Sequence, residues 1–193
     1  ARTNVVNDSK DKKSFKLVTN VVDKNNKVVA KVSNTETIDA NSSKEIDQFT
    51  TEIKNPNLWH PDNPNLYKVY TQIIDENGIV DQNITKIGLR WFEFNKNNGK
   101  FYINGEPMKL IGLNRHETYP YIGRAAPNRL QARDADILKF EMGCNAVRSS
   151  HYPPDTEFLN RCDEIGLLAI EEIPGWQNIG DSAWQDIAIN NVE

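Results

Sequence analysis

The run NAVRSSHYPP, Asn145 to Pro154, sets an arginine, two serines, a histidine and a tyrosine directly behind a short apolar stretch, and a proline pair closes it. Guanidinium and imidazole groups hydrogen-bond to hydroxyls and carboxylates. The same composition recurs where two other apolar runs end. One is LNRHE, with Asn114, Arg115, His116 and Glu117; the other is IEEI, with Glu171 and Glu172. For any single residue the plainer reading is an Arg or His that caps a buried strand and pairs with a carboxylate. Three such ends together point to a ligand-binding site.

Narrower chemistries fit less well. HETYP begins like a zinc-protease motif, but its fifth position is Pro120, so no second ligand follows one turn on. His116, His151 and a glutamate are a zinc set only at long range, with no local spacing to fix it. Ser149 or Ser150 beside His151 suggests a nucleophile and its base. Neighbouring strand residues face opposite ways, however, and the GxSxG turn is missing. The same alternation separates Glu171 from Glu172.

The elements that must position these residues change character along the chain. Residues 1 to about 92 read as all-β. SFKLVTNVVD puts Phe15, Leu17 and Val21 on one face, and NKVVAKVSN puts Val28, Ala30 and Val32 on one side, with a turn at Asp23 to Asn26 between them. QFTTEI reads as a further strand, and Asn77-Gly78 as a type I′ hairpin turn. Short strands with frequent turns make a small sandwich.

The second half reads strand, helix, strand, helix, strand. A hairpin-like NG precedes an apolar strand over 108–113. Asn128 and Gln131 have the spacing of a capping box for a helix whose apolar residues are Leu130, Ile137 and Leu138, and Gly143 ends it. The strand CNAVRS follows. Asp155 then caps a helix with Phe158, Leu159, Cys162 and Ile165 on one face before Gly166, and LLAIEEI is the third strand. That order implies parallel strands with right-handed crossovers, hence α/β, either doubly wound or a barrel. No GxGxxG follows a strand, which disfavours dinucleotide binding. A closed (β/α)8 barrel takes eight strands and about 250 residues, so if the fold is a barrel, only its opening part is expected here.

The 193 residues carry a net charge of -4 with Lys and Glu intermixed, giving no basic stripe for nucleic acid. No apolar run reaches the roughly 18 residues of a membrane span. The two cysteines, Cys144 in a strand and Cys162 in a helix, read as buried thiols.

NAVRSSHYPPDTEFLNRCDEIGLLAIEE resembles the signature of glycoside hydrolase family 2. That signature is Asn-x-hydrophobic-Arg, two small residues, His-Tyr-Pro, then a spaced Asp-x-x-Gly before four apolar residues. Asn145, Arg148, His151, Tyr152, Pro153, Asp163 and Gly166 fall in place. FYINGEPMKLIGLNRHETYPYIG resembles the family's first barrel strand, and NPNLWHPDNPNLYKVYTQI and IGLRWFEF the end of its middle domain. The resemblance implies an immunoglobulin-like β-sandwich over 1–92, followed over 93–193 by a truncated N-terminal part of the (β/α)8 catalytic barrel. It implies a fragment of a retaining β-glycosidase. LNRHE is more similar to the β-galactosidase version than to the β-glucuronidase one, which usually has Lys after Asn. A β-glucuronidase-like or other family specificity is the alternative among enzymes, and a non-catalytic carbohydrate-binding or interaction module the alternative from another class. His116, Arg148, His151, Asn114 and Glu172 would bind substrate. Glu171 stands where the family has an aspartate. In the family the acid/base carboxylate follows an asparagine, and the chain has no Asn-Glu dipeptide. Both catalytic carboxylates are therefore expected elsewhere, and the isolated chain is expected to be inactive. No cofactor or metal is implied. The partner is a carbohydrate, and self-association through the exposed barrel segment is expected.

Overall fold

A computed structural model describes residues 1–192. In chain order its strands are β1 (Arg2–Asn7), β2 (Lys13–Val22), β3 (Val28–Ile38), β4 (Ser42–Asp47), β5 (Trp59–His60), β6 (Asn63–Pro64), β7 (Tyr67–Asp75) and β8 (Gly78–Ile87). There follow β9 (Phe92–Asn95), β10 (Lys100–Ile103), β11 (Glu106–Met108), β12 (Gly112–Arg115), β13 (Ala146–Ser149) and β14 (Leu168–Ile170). The helices are α1 (Asn128–Asp136), α2 (Thr156–Ile165) and α3 (Ser182–Asn190). Two compact units result: residues 1–57 with 65–89, and residues 58–64 with the described residues from 90 onward.

The first unit is antiparallel throughout. β1 pairs with β4, and a four-stranded sheet runs β3-β2-β7-β8. Val5 of β1 and Ile46 of β4 share a core with Phe15, Leu17 and Ile38 of the larger sheet, so the two sheets form a two-layer sandwich. The alternation in β2 holds: Phe15 and Leu17 are buried in this core, and Val21 in a second one with Ala30 and Tyr67. QFTTEI is not a strand. The Gln48 side chain turns inward, accepting from Thr19 Oγ1 at 2.6 Å and donating to the Leu17 carbonyl at 3.1 Å, while Phe49 is 87% exposed. The Asn77-Gly78 turn is also shifted by one residue. Asp75 pairs with Gly78, so Glu76 and Asn77 form the loop, Asp75 Oδ1 accepts from Asn77 N at 2.7 Å, and Gly78 (φ 121°) opens β8. The type I′ pattern is realised instead at Asn104-Gly105, both at positive φ between β10 and β11.

The second unit holds the parallel sheet β12-β13-β14, with α1 and α2 as its crossovers. Its core joins Ala135 and Leu138 to Val147, Phe158, Cys162 and Ile165. α2 forms as its residues dictate. Asp155 Oδ1 accepts from Glu157 N at 2.7 Å, the face of Phe158, Cys162 and Ile165 is buried, and Gly166 (φ 79°) stops the helix. A side chain at Gly166 would also strike the Pro61 carbonyl, 2.1 Å from a Cβ there.

Two expectations for this unit need correction. The strand expected over 108–113 starts at Gly112. Just before it, Asn145 takes over the pairing by side chain: Oδ1 accepts from Ile111 N and Nδ2 donates to the Lys109 carbonyl, both at 2.8 Å. Gly112 itself passes so close to β13 that a Cβ would lie 2.0 Å from the Ala146 carbonyl oxygen. The capping box on α1 is absent. Pro127 occupies the cap with no side-chain bond, and Gln131 is buried and bonded elsewhere. α1 also continues into a π-helical turn, Ile137–Glu141, before Gly143.

Both cysteines are free and buried, as their setting predicted. Burial pushes the Cys162 thiol up to about 12 from 9.0. At pH 8 its thiolate is then about a thousandfold scarcer than in the unfolded chain. A thiol-reactive dye should label Cys162 at pH 8 only on denaturation, as followed by mass spectrometry. Phe158 is fully buried, and Phe158→Ala should cost about 3–5 kcal/mol in urea unfolding.

Candidate functional site

Register divides the parallel sheet into two chemically different faces. Leu113 pairs with Val147 and Val147 with Ala169; on this side Val147 and Ala169 pack on the helices, while Leu113 is partly exposed. Asn114 pairs with Arg148 and Arg148 with Ile170 on the opposite side. That opposite side is apolar at its base, where Ala146, Leu168 and Ile170 line a cleft of about 270 Å³ with Phe92, Phe101 and Leu110. It turns polar at the carboxyl ends of the strands.

There the structure joins three of the candidate residues directly. Arg148 Nη2 lies 2.7 Å from Glu172 Oε2, a charge contact without hydrogen-bond alignment. His151 Nδ1 lies 3.1 Å from Glu172 Oε1 and 3.4 Å from Arg148 Nη2. One nitrogen cannot both donate to the carboxylate and accept from the guanidinium. The shorter contact assigns the proton to Nδ1, which donates to Glu172 and leaves Nε2 as the acceptor nitrogen. The Glu172 backbone N–H donates to Ser149 Oγ at 2.9 Å, anchoring the loop that carries the carboxylate. His116 joins the cluster by ring contact, edge-on to His151 at 5.4 Å and 6.4 Å from Tyr152. Asn114 is exposed beside Arg148 in the register, and Glu171 is exposed.

The other chemistries find no support here. Ser149 is committed to backbone groups, and Ser150 is buried with no hydrogen bond from its hydroxyl. Among the described residues no group of three His, Cys, Asp or Glu side chains could hold a metal ion, and no helix is long and apolar enough to cross a membrane.

Two important residues have little or no local signal. The Trp176 ring stacks on His151 at 5.3 Å, is 63% exposed, and stands at positive φ. Arg115, between Asn114 and His116, points the other way and is buried. Its Nε donates to Asp134 Oδ2 at 3.0 Å, and its Nη2 donates to Tyr119 Oη at 2.7 Å and Gln131 Oε1 at 2.5 Å. The guanidinium lies 4.0 Å over the Phe158 ring. Gln131 and Asp134, three apart on one helix face, are the trace of this site in the sequence. Burial, aided by donation to Asp134 at 2.7 Å, pushes the Tyr119 phenol up to about 12, so it remains a donor at neutral pH. Removing the cation leaves the buried Gln131 amide and the partly exposed Asp134 carboxylate without it. Arg115→Ala should therefore cost about 1–3 kcal/mol in chemical denaturation.

Comparison with known proteins gives a consistent picture. The family model for glycosyl hydrolases family 2 matches residues 1–90, and the model for its TIM barrel domain matches residues 94–191. A β-galactosidase of Thermoanaerobacter pseudethanolicus is 52% identical over 88% of this chain and 24% of its own length. A family 2 glycosyl hydrolase structure from Bacteroides cellulosilyticus superposes with a TM-score of 0.80 at 35% identity, over 89% of this chain and 23% of that one. The Bacteroides uniformis β-glucuronidase structure gives 0.84 at 32% identity, over 90% of this chain and 21% of that one. The chain thus spans about a quarter of the length of these relatives.

Proposed function

The chain belongs to glycosyl hydrolase family 2, and from this we infer that it is a segment of a retaining β-glycosidase, with β-galactosides as substrate. In this reading residues 1–92 are an immunoglobulin-like sandwich. Residues from 93 onward open a (β/α)8 barrel, whose strand ends carry one wall of the sugar site. The observation that carries the reading is the joined group Arg148, His151 and Glu172, with His116 beside it, at the carboxyl ends of parallel strands.

Each group then has a role. Glu172 holds the Arg148 guanidinium and orients the His151 ring, so that His151 Nε2 and the free donors of Arg148 face sugar hydroxyls or a reacting carboxylate. Asn114 and His116 supply further polar contacts from the adjacent strand end. Retaining hydrolysis needs an acid/base and a nucleophilic carboxylate about 5–5.5 Å apart. Glu172 is tied to Arg148 and His151, so it is assigned to binding. We propose that neither catalytic carboxylate belongs to these 193 residues.

Galactoside is preferred over glucuronide on one further ground: Arg115, not Lys, follows Asn114, and its guanidinium is buried away from the cluster. A β-glucuronidase-like specificity would draw instead on Arg124, whose guanidinium lies 3.8 Å over Tyr152. Nitrophenyl β-galactoside and β-glucuronide assays on the intact enzyme separate the two, and faster glucuronide turnover would reverse the preference. Arg148→Ala and His151→Ala should each lower kcat/KM for the galactoside by about 100- to 1000-fold. The isolated chain should hydrolyse neither substrate; turnover that co-purifies with it would place a catalytic carboxylate within it. The exposed Phe92, Phe94 and Ile170 of the barrel segment should also drive self-association, read by sedimentation velocity.

A further inference from the structure

We propose that Glu117 is a positioning residue: it fastens the loop carrying His116 to the loop carrying His151, with Arg115 bracing its carboxylate. Among the described residues the His116 imidazole has ring contacts but no hydrogen bond, so its direction depends on where its own backbone is held. Glu117, the next residue, holds that backbone from two sides. Its N–H donates to Tyr152 Oη at 3.0 Å, and Tyr152 follows His151 directly. Its Oε1 accepts from Asp155 N at 2.9 Å, where the second loop enters α2. The carboxylate so placed meets the positive end of that helix. Arg115 Nη1 stands 3.6 Å from the same oxygen, with both side chains largely shielded from water.

The three interactions close a ring between two loops whose histidines lie 35 positions apart in sequence. The sheet and helices already have a core of their own. The Glu117 contacts add the relative placement of the two imidazoles, which the ladder between β12 and β13 leaves open because both histidines lie beyond it. The consequence for catalysis rests on the sugar-facing reading of His116 and His151; the geometry does not.

The test is NMR on the 193-residue chain, where three histidines make the ring signals few enough to assign. In Glu117→Ala the ring signals of His116 and His151 should move, and the cross-peak between them should disappear, while those of His60 stay in place. Glu117→Gln keeps an oxygen that can accept from Asp155 N, so both signals and the cross-peak should return toward wild type. Unchanged His116 and His151 signals in a folded Glu117→Ala chain would overturn the proposal. So would a shift of His60 as large as theirs, or a Glu117→Gln chain that behaves like the alanine variant. Where Glu117→Ala does not fold, amide exchange decides. The Asp155 N–H should exchange slowly in wild type and in Glu117→Gln, and exchange at an open-loop rate in wild type would overturn the proposal. None of these readouts involves turnover, so their failure is separate from failure of the proposed activity.

Discussion

The buried guanidinium of Arg115 is the charge around which the second unit is arranged. A cation placed among apolar side chains is strongly destabilising unless its donors are used. Here Asp134 and Gln131 reach it from α1, Tyr119 from the loop after β12, and the Phe158 ring from α2. Each contact fixes one element relative to the end of β12. The helices therefore cannot slide along the sheet without stranding that charge, and the strand end cannot twist without losing it.

Arg115 faces the helices, so period-two alternation turns its neighbours the other way. The same rule in β13 sends Val147 into the core and Arg148 out of it. The resulting face has an apolar base, with Ala146, Leu168 and Ile170 near Phe92 and Phe101, and a polar rim where Arg148 meets Glu172 and His151. Backbone ladders occupy the polar groups of the strands themselves. Side-chain chemistry is free to gather only where the ladders stop, and that is where the family's sugar site is proposed to lie.

Much of the scaffold was legible because its signals are local. Asp155 and Gly166 bracket α2 as cap and stop, Phe158, Cys162 and Ile165 form its buried stripe, and β2 buries its alternate residues. Three of the misreadings share one cause, a side chain satisfying a distant backbone or charge. Asn145 replaces the start of β12 with its own amide bonds. Gln48 turns an expected strand into a buried tether. Gln131 leaves the helix end for Arg115, and the expected capping box is lost. The candidate site was legible as composition at three strand ends, while its pairings, the Arg115 network and Trp176 were not.

The sequence by itself determined the strand-helix order and parallel α/β grammar of the second half and the polar character of its strand ends. These follow from periodicity and caps that act within a few residues. Only the tertiary structure decided that Glu172 binds both Arg148 and His151, that Arg115 turns inward between two outward residues, and that Glu117 reaches Asp155. The bonds His151–Glu172, Arg115–Asp134 and Glu117–Asp155 join residues 19 to 38 positions apart. Contacts of that range obey no local period, because their geometry is set by packing after the elements have formed.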